Sequence, residues 1–488
     1  VFAYRSNPAV ENVVCFKAAP INAGHFTKIK LIRESETYAE FPLFTRMIAF
    51  WRNIYVYEVD GIRTRLDVPE NADIEIAHGR LIVAIRTDWQ PADTSYKAGS
   101  LLVTGMDEFL AGSRDFAVLF TPDARSALDG WTSLASGIVV SVMENVASRL
   151  FFAPAADWRA ADIPGLPAAS SVSVSKLNPA DPASEALMFH MDGFLTPPRL
   201  MLGTPAGAAE MLKTLPPQFD AAGMGVEQFE AMAADGTKIP YFLMGAPGED
   251  KPVYLYGYGG FEVSLSPHYA AQMGAVWCAQ GGRYAVANIR GGGEFGPAWH
   301  RAGIREKKRI AQDDFAAVAA DIERRGIAER HRILGAGGSN GGLLIGNMLT
   351  RHPAQFAALI CTVPLLDMQR YTKLLAGASW IAEYGDPDIP EDWAFLKEIS
   401  AYQLAAPGQA YPPILIATTR RDDRVHPGHA RKMAAKLQDM GYDALYFEQA
   451  EGGHGAGADA AQRAFFVALE YAFARQTVGA GLTTQTLP

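Results

Sequence analysis

Ser339 is the residue of this chain best placed to act as a nucleophile. It lies in Gly337-Gly338-Ser339-Asn340-Gly341-Gly342, between the apolar runs Ile333-Leu334-Gly335-Ala336 and Leu343-Leu344-Ile345. That order reads as strand, sharp turn, helix, and a serine between glycines at such a turn forms a nucleophile elbow. The turn is strained, so the residues two before and two after the serine must be small, as Gly337 and Gly341 are. A helix starting at Asn340 would turn unpaired backbone N–H groups toward the serine, where the oxyanion of an acyl transfer develops.

A serine hydroxyl needs a base, and the base an orienting acid. In the strand–turn–helix form of this chemistry they follow in the order Ser, Asp or Glu, His. Beyond Ser339 lie His352, His426, His429 and His454. His352, in Thr350-Arg351-His352-Pro353, falls where the elbow helix should end and reads as a helix-end residue. His454, in Gly452-Gly453-His454-Gly455, follows the strand-like run Ala444–Phe447, so its ring can swing over the sheet edge. For the acid, the buried-type strand Pro413–Thr418 leads into Arg421-Asp422-Asp423-Arg424-Val425. Spacing does not choose between Asp422 and Asp423, while Asp443 precedes a strand and stands at the wrong edge. His426 and His429 beside two aspartates could suggest a metal site, but no HExxH or cysteine pair supports one. The reading calls for no metal and no cofactor.

These residues need a scaffold that gathers strand ends. After about residue 230 strands and helices alternate. The strands are Ile239–Met244, Val253–Tyr256, Tyr284–Ile289, Ile333–Gly335, Ala358–Thr362, Ile414–Thr418 and Leu445–Glu448. The helices are Tyr269–Ala279, Ala311–Arg325, the elbow helix, Pro427–Met440 and Ala460–Ala474. Alternation predicts a mostly parallel sheet covered on both faces, with active residues at the C-terminal strand ends. Before residue 230 the candidates are short strands: Thr27–Ile32, Ile54–Val59, Arg80–Arg86, Leu101–Thr104, Ile138–Met143, Leu150–Ala153 and Arg199–Leu202. Turns such as Asp60-Gly61, His78-Gly79 and Asp129-Gly130 punctuate them. That texture suggests a propeller or sandwich, with room for four or five blades at ~40–50 residues each. The expected organisation is residues 1–228 all-β, 229–475 α/β, and 476–488 a disordered tail.

The chain has 488 residues, 49% of them hydrophobic, enough for two sizeable cores. A net charge of -9 disfavours nucleic acid and anionic membranes as partners. The short basic cluster Arg305-Glu306-Lys307-Lys308-Arg309 reads as a solvated helix face. Cys15, Cys278 and Cys361 sit in apolar surroundings, as buried free thiols do. No apolar run reaches transmembrane length. The expected compartment is the cytoplasm, with the periplasm as the alternative because the start at Val1 reads as a fragment or processed form. The chain is expected to act as a monomer.

Together, Tyr256-Gly257-Tyr258-Gly259-Gly260-Phe261, Ala287-Asn288-Ile289-Arg290-Gly291-Gly292-Gly293-Glu294-Phe295-Gly296, the serine elbow, Asp422-Asp423-Arg424-Val425 and Gly453-His454-Gly455 resemble the prolyl oligopeptidase family. The resemblance implies an α/β-hydrolase domain capped by a β-propeller, and a serine endopeptidase cleaving short peptides after proline. It assigns Asp422 as the acid. It gives the Tyr258 hydroxyl, with the Asn340 N–H, as the oxyanion donors. It places Phe261, Leu365, Trp380, Tyr384 and Val425 around the proline ring, Trp380 and Tyr384 sharing a helix face, and Arg424 on a substrate carbonyl. The chain departs from the family in two ways. The family's first blades and N-terminal segment are not found, so the propeller is expected to be incomplete. Ala378 stands where the family often has histidine, and Glu383, three residues beyond Trp380, is expected to face outward or pair locally. An esterase or acyl-peptide hydrolase with the same triad, an oligopeptidase of other specificity, and an inert scaffold are the competing readings.

Overall fold

The computed structural model describes residues 43–59, 61–165 and 170–482, together with four short strands in the first 42 residues. The strand expected at Thr27–Ile32 is described only at Lys30–Ile32. Asp60, the Cys15 side chain and the tail from residue 483 lie outside the described residues. The chain divides into two compact units, Val1–Thr121 and Pro122–Pro488.

In the first unit, three small antiparallel sheets follow one another in meander order. Two of them, over Leu43–Arg65 and Asp73–Phe120, share a core of Tyr55, Leu66, Leu81, Val83, Leu102 and Phe109. The second unit opens with two more four-stranded meanders, over Ser126–Asp162 and Ser171–Thr214, packed on Leu134, Val139, Leu150, Leu187 and Phe189. These are the blades of the β-propeller part. Period-2 side chains make them. In Gly137–Glu144 almost every residue is buried, whereas the outer strand Ser171–Lys176 alternates buried and exposed positions, as a half-covered strand does.

The rest of the second unit is the α/β-hydrolase domain. Its eight strands are β1 (Gly225–Met232), β2 (Lys238–Gly245), β3 (Val253–Gly257), β4 (Arg283–Ala287), β5 (Ile333–Gly338), β6 (Ala358–Thr362), β7 (Ile414–Thr419) and β8 (Ala444–Gln449). They lie in the order β1-β2-β4-β3-β5-β6-β7-β8, all parallel from β4 to β8, with β2 antiparallel to both its neighbours. The expected boundary at residue 228 falls inside β1.

Alternation along the central strands covers both faces. Val253, Leu255, Ile333, Ile414 and Ile416 meet the helices α1 (Lys308–Arg324), α2 (Asn340–Arg351) and α3 (Gly428–Asp439) through Phe315, Leu344 and Met433. Tyr254, Leu334, Ala336 and Leu415 face the other way, onto Trp277 and the last helix, α4 (Ala460–Val478). That helix corrects the expected tail. It continues through residues 476–478 because Phe473, Ala474 and Val478 are buried on this second face. The helix expected over Tyr269–Ala279 is also interrupted. Ala271–Val276 is followed by a separate 3₁₀ turn at Cys278–Gln280, because the fully buried Trp277 between them donates its indole N–H to the Arg283 carbonyl at 2.9 Å. Cys278 and Cys361 are buried free thiols. No described helix is long and apolar enough to cross a membrane.

Candidate active site

Five parallel strand ends converge on the site. Tyr258 follows β3, Ser339 follows β5, Val363 follows β6, Asp422 lies in the loop after β7 and His454 in the loop after β8. Ser339 sits at φ 60°, ψ −116°, a conformation costing a non-glycine residue about 1–3 kcal/mol. Its N–H is held by the Thr362 carbonyl at 2.9 Å. The turn is so tight that a Cβ on Gly337 would lie 2.6 Å from the Gly341 carbonyl oxygen, and one on Gly341 2.7 Å from that of Gly257. Asn340 opens α2, so its backbone N–H belongs to the first turn, where no intrahelical acceptor exists.

His454 Nδ1 lies 2.7 Å from Asp422 Oδ2, and the other carboxylate oxygen accepts the N–H groups of Arg424 and Val425, each at 2.9 Å. Asp422 is buried, so these bonds hold it in one orientation. With Nδ1–H donated to the carboxylate, Nε2 is the basic nitrogen of the ring. Asp423 does something else: its exposed side chain accepts the His454 backbone N–H at 3.2 Å and steadies the loop rather than the ring. The remaining histidines are engaged elsewhere. His352 caps the end of α2 with Nε2 3.0 Å from Asp313, His426 Nδ1 accepts the Gly428 N–H, and buried His429 accepts the N–H groups of Leu366 and Asp367.

The Tyr258 hydroxyl lies beside the Ser339 side chain. Burial first, then the nearby Glu383 carboxylate, raises its pKa above the usual range, which keeps it protonated and a donor. The carbonyl oxygen of an acyl group attacked by Ser339 would therefore meet a phenol O–H and a helix-first-turn N–H, the kind of donor pair that acyl transfer uses. Tyr258→Phe keeps the ring and its packing but loses the donor. It is expected to lower kcat by roughly 10²–10³ with KM nearly unchanged, because the bond strengthens only as charge develops. Steady-state kinetics checks this, and an unaltered kcat would make Tyr258 a packing residue.

Beside the serine, Leu343, Leu365, Tyr384 and Val425 belong to one buried cluster, with half-buried Phe261 and Trp380 packed against it. Phe261 stands edge-on to Trp380 at 6.4 Å and to Tyr384 at 5.6 Å. Trp380 and Tyr384 do not share one helix as expected. Trp380 ends a 3₁₀ turn and Tyr384 a separate helical turn, Ile381–Tyr384. Tyr384 is fully buried and donates its hydroxyl to Asn340 Oδ1 at 2.8 Å, so it supports the first residue of α2 from below. The Arg424 side chain is exposed.

Two expectations about charge are overturned. Glu383 does not face outward: it is buried, accepts the Phe261 N–H at 3.0 Å, and pairs with Lys308 Nζ at 2.7 Å and His300 Nε2 at 2.8 Å. Burial alone would raise its carboxyl, but Lys308 and His300 outweigh that and hold it at about 2. Lys308, read with its neighbours as a solvated face, is buried for the same reason. The only sequence signal for this cluster was the unassigned charge of Glu383 beside two aromatic residues.

Residues 267–481 match the prolyl oligopeptidase family model. Over 448 residues the chain is 38% identical to the uncharacterized peptidase y4nA of Sinorhizobium fredii, an alignment taking in 90% of this chain and 61% of that one. It is 36% identical over 280 residues to the prolyl endopeptidase of Elizabethkingia miricola, covering 56% of this chain and 40% of the relative. The solved structure of a post-proline cleaving enzyme from Rickettsia typhi superposes with a TM-score of 0.84 at 26% identity, covering 93% of this chain and 72% of that one. The chain thus spans about three fifths of the Sinorhizobium fredii peptidase. Strand order, strained serine turn and these likenesses agree, and residues 267–481 are a prolyl oligopeptidase family domain.

Proposed function

We propose that this protein is a serine peptidase that hydrolyses short peptides on the carboxyl side of proline through an acyl-enzyme. The observation that carries the reading is the Asp422–His454 pair at 2.7 Å, on strand ends that also present a strained serine beside the Tyr258 side chain. In this reading His454 Nε2 takes the Ser339 proton as Oγ attacks the scissile carbonyl. Asp422 holds the imidazolium, and Tyr258 and the Asn340 N–H bind the oxyanion. The proton then passes from His454 to the departing amine, and a water, activated in the same way, releases the acyl group.

Proline has no N–H and a flat apolar ring, so its pocket should be aromatic and without an uncompensated charge. Phe261 and Trp380 offer the half-exposed rings, over a floor of Leu365, Tyr384 and Val425. Glu383, whose carboxylate accepts the Phe261 N–H, is paired with Lys308 and hydrogen-bonded to His300, which argues against a basic side chain in the pocket. Stacking a ring of this size on an indole contributes on the order of 1–3 kcal/mol. Trp380→Ala is therefore expected to reduce kcat/KM about 10–200-fold for proline substrates and less for alanine substrates. The test is a peptide panel varying only the residue before the scissile bond, run on the parent and on Trp380→Ala. An arginine preference, or cleavage of esters but not prolyl amides, would replace the proposed specificity. An unchanged Pro/Ala ratio would reduce Trp380 to packing.

A further inference from the structure

The loop that carries Tyr258 is strained. Gly259, Phe261 and Glu262 have φ of 63°, 56° and 56°, and two of these three bear side chains. Such a backbone persists only where its surroundings over-determine it. Below the loop lies a buried ionic cluster. Lys308 Nζ donates to the Gly259 carbonyl at 3.0 Å and to Glu383 Oε1 at 2.7 Å, and the same oxygen accepts the Phe261 N–H at 3.0 Å. His300 Nε2, 2.8 Å from Glu383 Oε2, engages the other oxygen. The fit is close: a Cβ on Gly260 would fall 2.5 Å from Asn340 Nδ2 and 2.7 Å from Lys308 Nζ. Asn340 Nδ2 in turn donates to the Tyr258 carbonyl at 2.6 Å, so the serine helix and the tyrosine loop are tied at the same point.

Burial opposes the Lys308 charge first, lowering its pKa, and only Glu383 counters this. Lys308 also sits at the first residue of α1, where the helix dipole disfavours a cation. A buried pair in so poor an electrostatic position adds little to stability compared with an apolar pair. Lys308 and Glu383 each bond the backbone of the tyrosine loop, at Gly259 and at Phe261. We infer that Lys308, Glu383 and His300 are positioning residues that hold the Tyr258 hydroxyl on the developing oxyanion, and that Lys308 keeps the Glu383 carboxylate from repelling that charge. The inference rests on the serine-peptidase reading and adds to it a buried set of groups that act through Tyr258.

The experiment compares Lys308→Met, Lys308→Met/Glu383→Gln and each of these with Tyr258→Phe. Two readouts are taken: steady-state cleavage of a prolyl peptide, and the rate of Ser339 labelling by a fluorophosphonate, whose phosphoryl oxygen needs the same donors. Lys308→Met removes the buried cation from Glu383, leaving the carboxylate under the loop to His300 and the Phe261 N–H, and is expected to lower kcat about 100-fold with KM within about threefold, the scale of a misplaced catalytic group. Adding Glu383→Gln removes that charge and should recover about tenfold of the loss. In the Tyr258→Phe background neither change should cost more than about threefold, since sites that act as one unit are not additive. Equal losses with and without the tyrosine hydroxyl would overturn the inference, as would an unchanged kcat in Lys308→Met. If Lys308→Met does not fold, the neutral pair variant decides alone, by whether its loss disappears without the hydroxyl. Should the parent label at Ser339 but leave prolyl peptides intact, the specificity reading fails and the cluster is judged on labelling rates. A parent that does not label at Ser339 sinks both.

Discussion

Ser339→Ala is expected to lower kcat by roughly 10⁶, the loss seen when the nucleophile is removed from a triad that acts as a unit. The geometry makes this a clean test of chemistry. Alanine keeps the Cβ, so the strain at φ 60° is present in both proteins, and the close approach of Gly337 and Gly341 is untouched. The Ser339 N–H remains on the Thr362 carbonyl. What is lost is the hydroxyl. Thermal unfolding should therefore shift little while turnover collapses. Mapping a fluorophosphonate adduct in the parent gives the independent check, and an adduct on any other serine would sink the assignment.

Asp422→Asn is expected to cost on the order of 10⁴ in kcat, through the wrong imidazole tautomer. The bonds around Asp422 say how. Oδ1 accepts two backbone N–H groups, from Arg424 and Val425, so an asparagine must keep its carbonyl oxygen there. Its amide nitrogen then faces His454 Nδ1, where the carboxylate oxygen had been at 2.7 Å. An N–H group there needs an acceptor, so Nδ1 gives up its proton and Nε2 carries it, leaving no base toward the serine. Asp423→Asn should be mild, under about tenfold, because an amide oxygen can still accept the His454 N–H. Kinetics of the two variants side by side decides the matter. If Asp423→Asn is the crippling change, the roles are reversed.

The two aspartates also mark where the sequence stops being sufficient. From spacing they are equivalent, and only the family resemblance separated them. In the structure one is buried against two backbone N–H groups and the other is exposed. The difference arises from how the loop after β7 is seated against its neighbours.

The features legible in the sequence are those set by steric demands between near neighbours. Gly337 and Gly341 flank a serine whose backbone tolerates little else, and the near-continuous apolar runs at Val253–Gly257 and Ile414–Thr419 must bury both faces of a parallel sheet. Those local constraints also carry Tyr258, Ser339, Asp422 and His454 to the same edge, because parallel strands end on one side. The pairing of Lys308 with Glu383, 75 residues away, follows from no local rule. A charge is buried only when a partner meets it, and the partner comes from packing. The same holds for α4, which runs on to Val478 because the second face of the sheet covers its last turn. Chain-local sterics thus determined the candidate reacting residues and the sheet that collects them. Tertiary structure alone decided which charges lie beneath the oxyanion loop, since their energies depend on the dielectric and the partners that folding brings together.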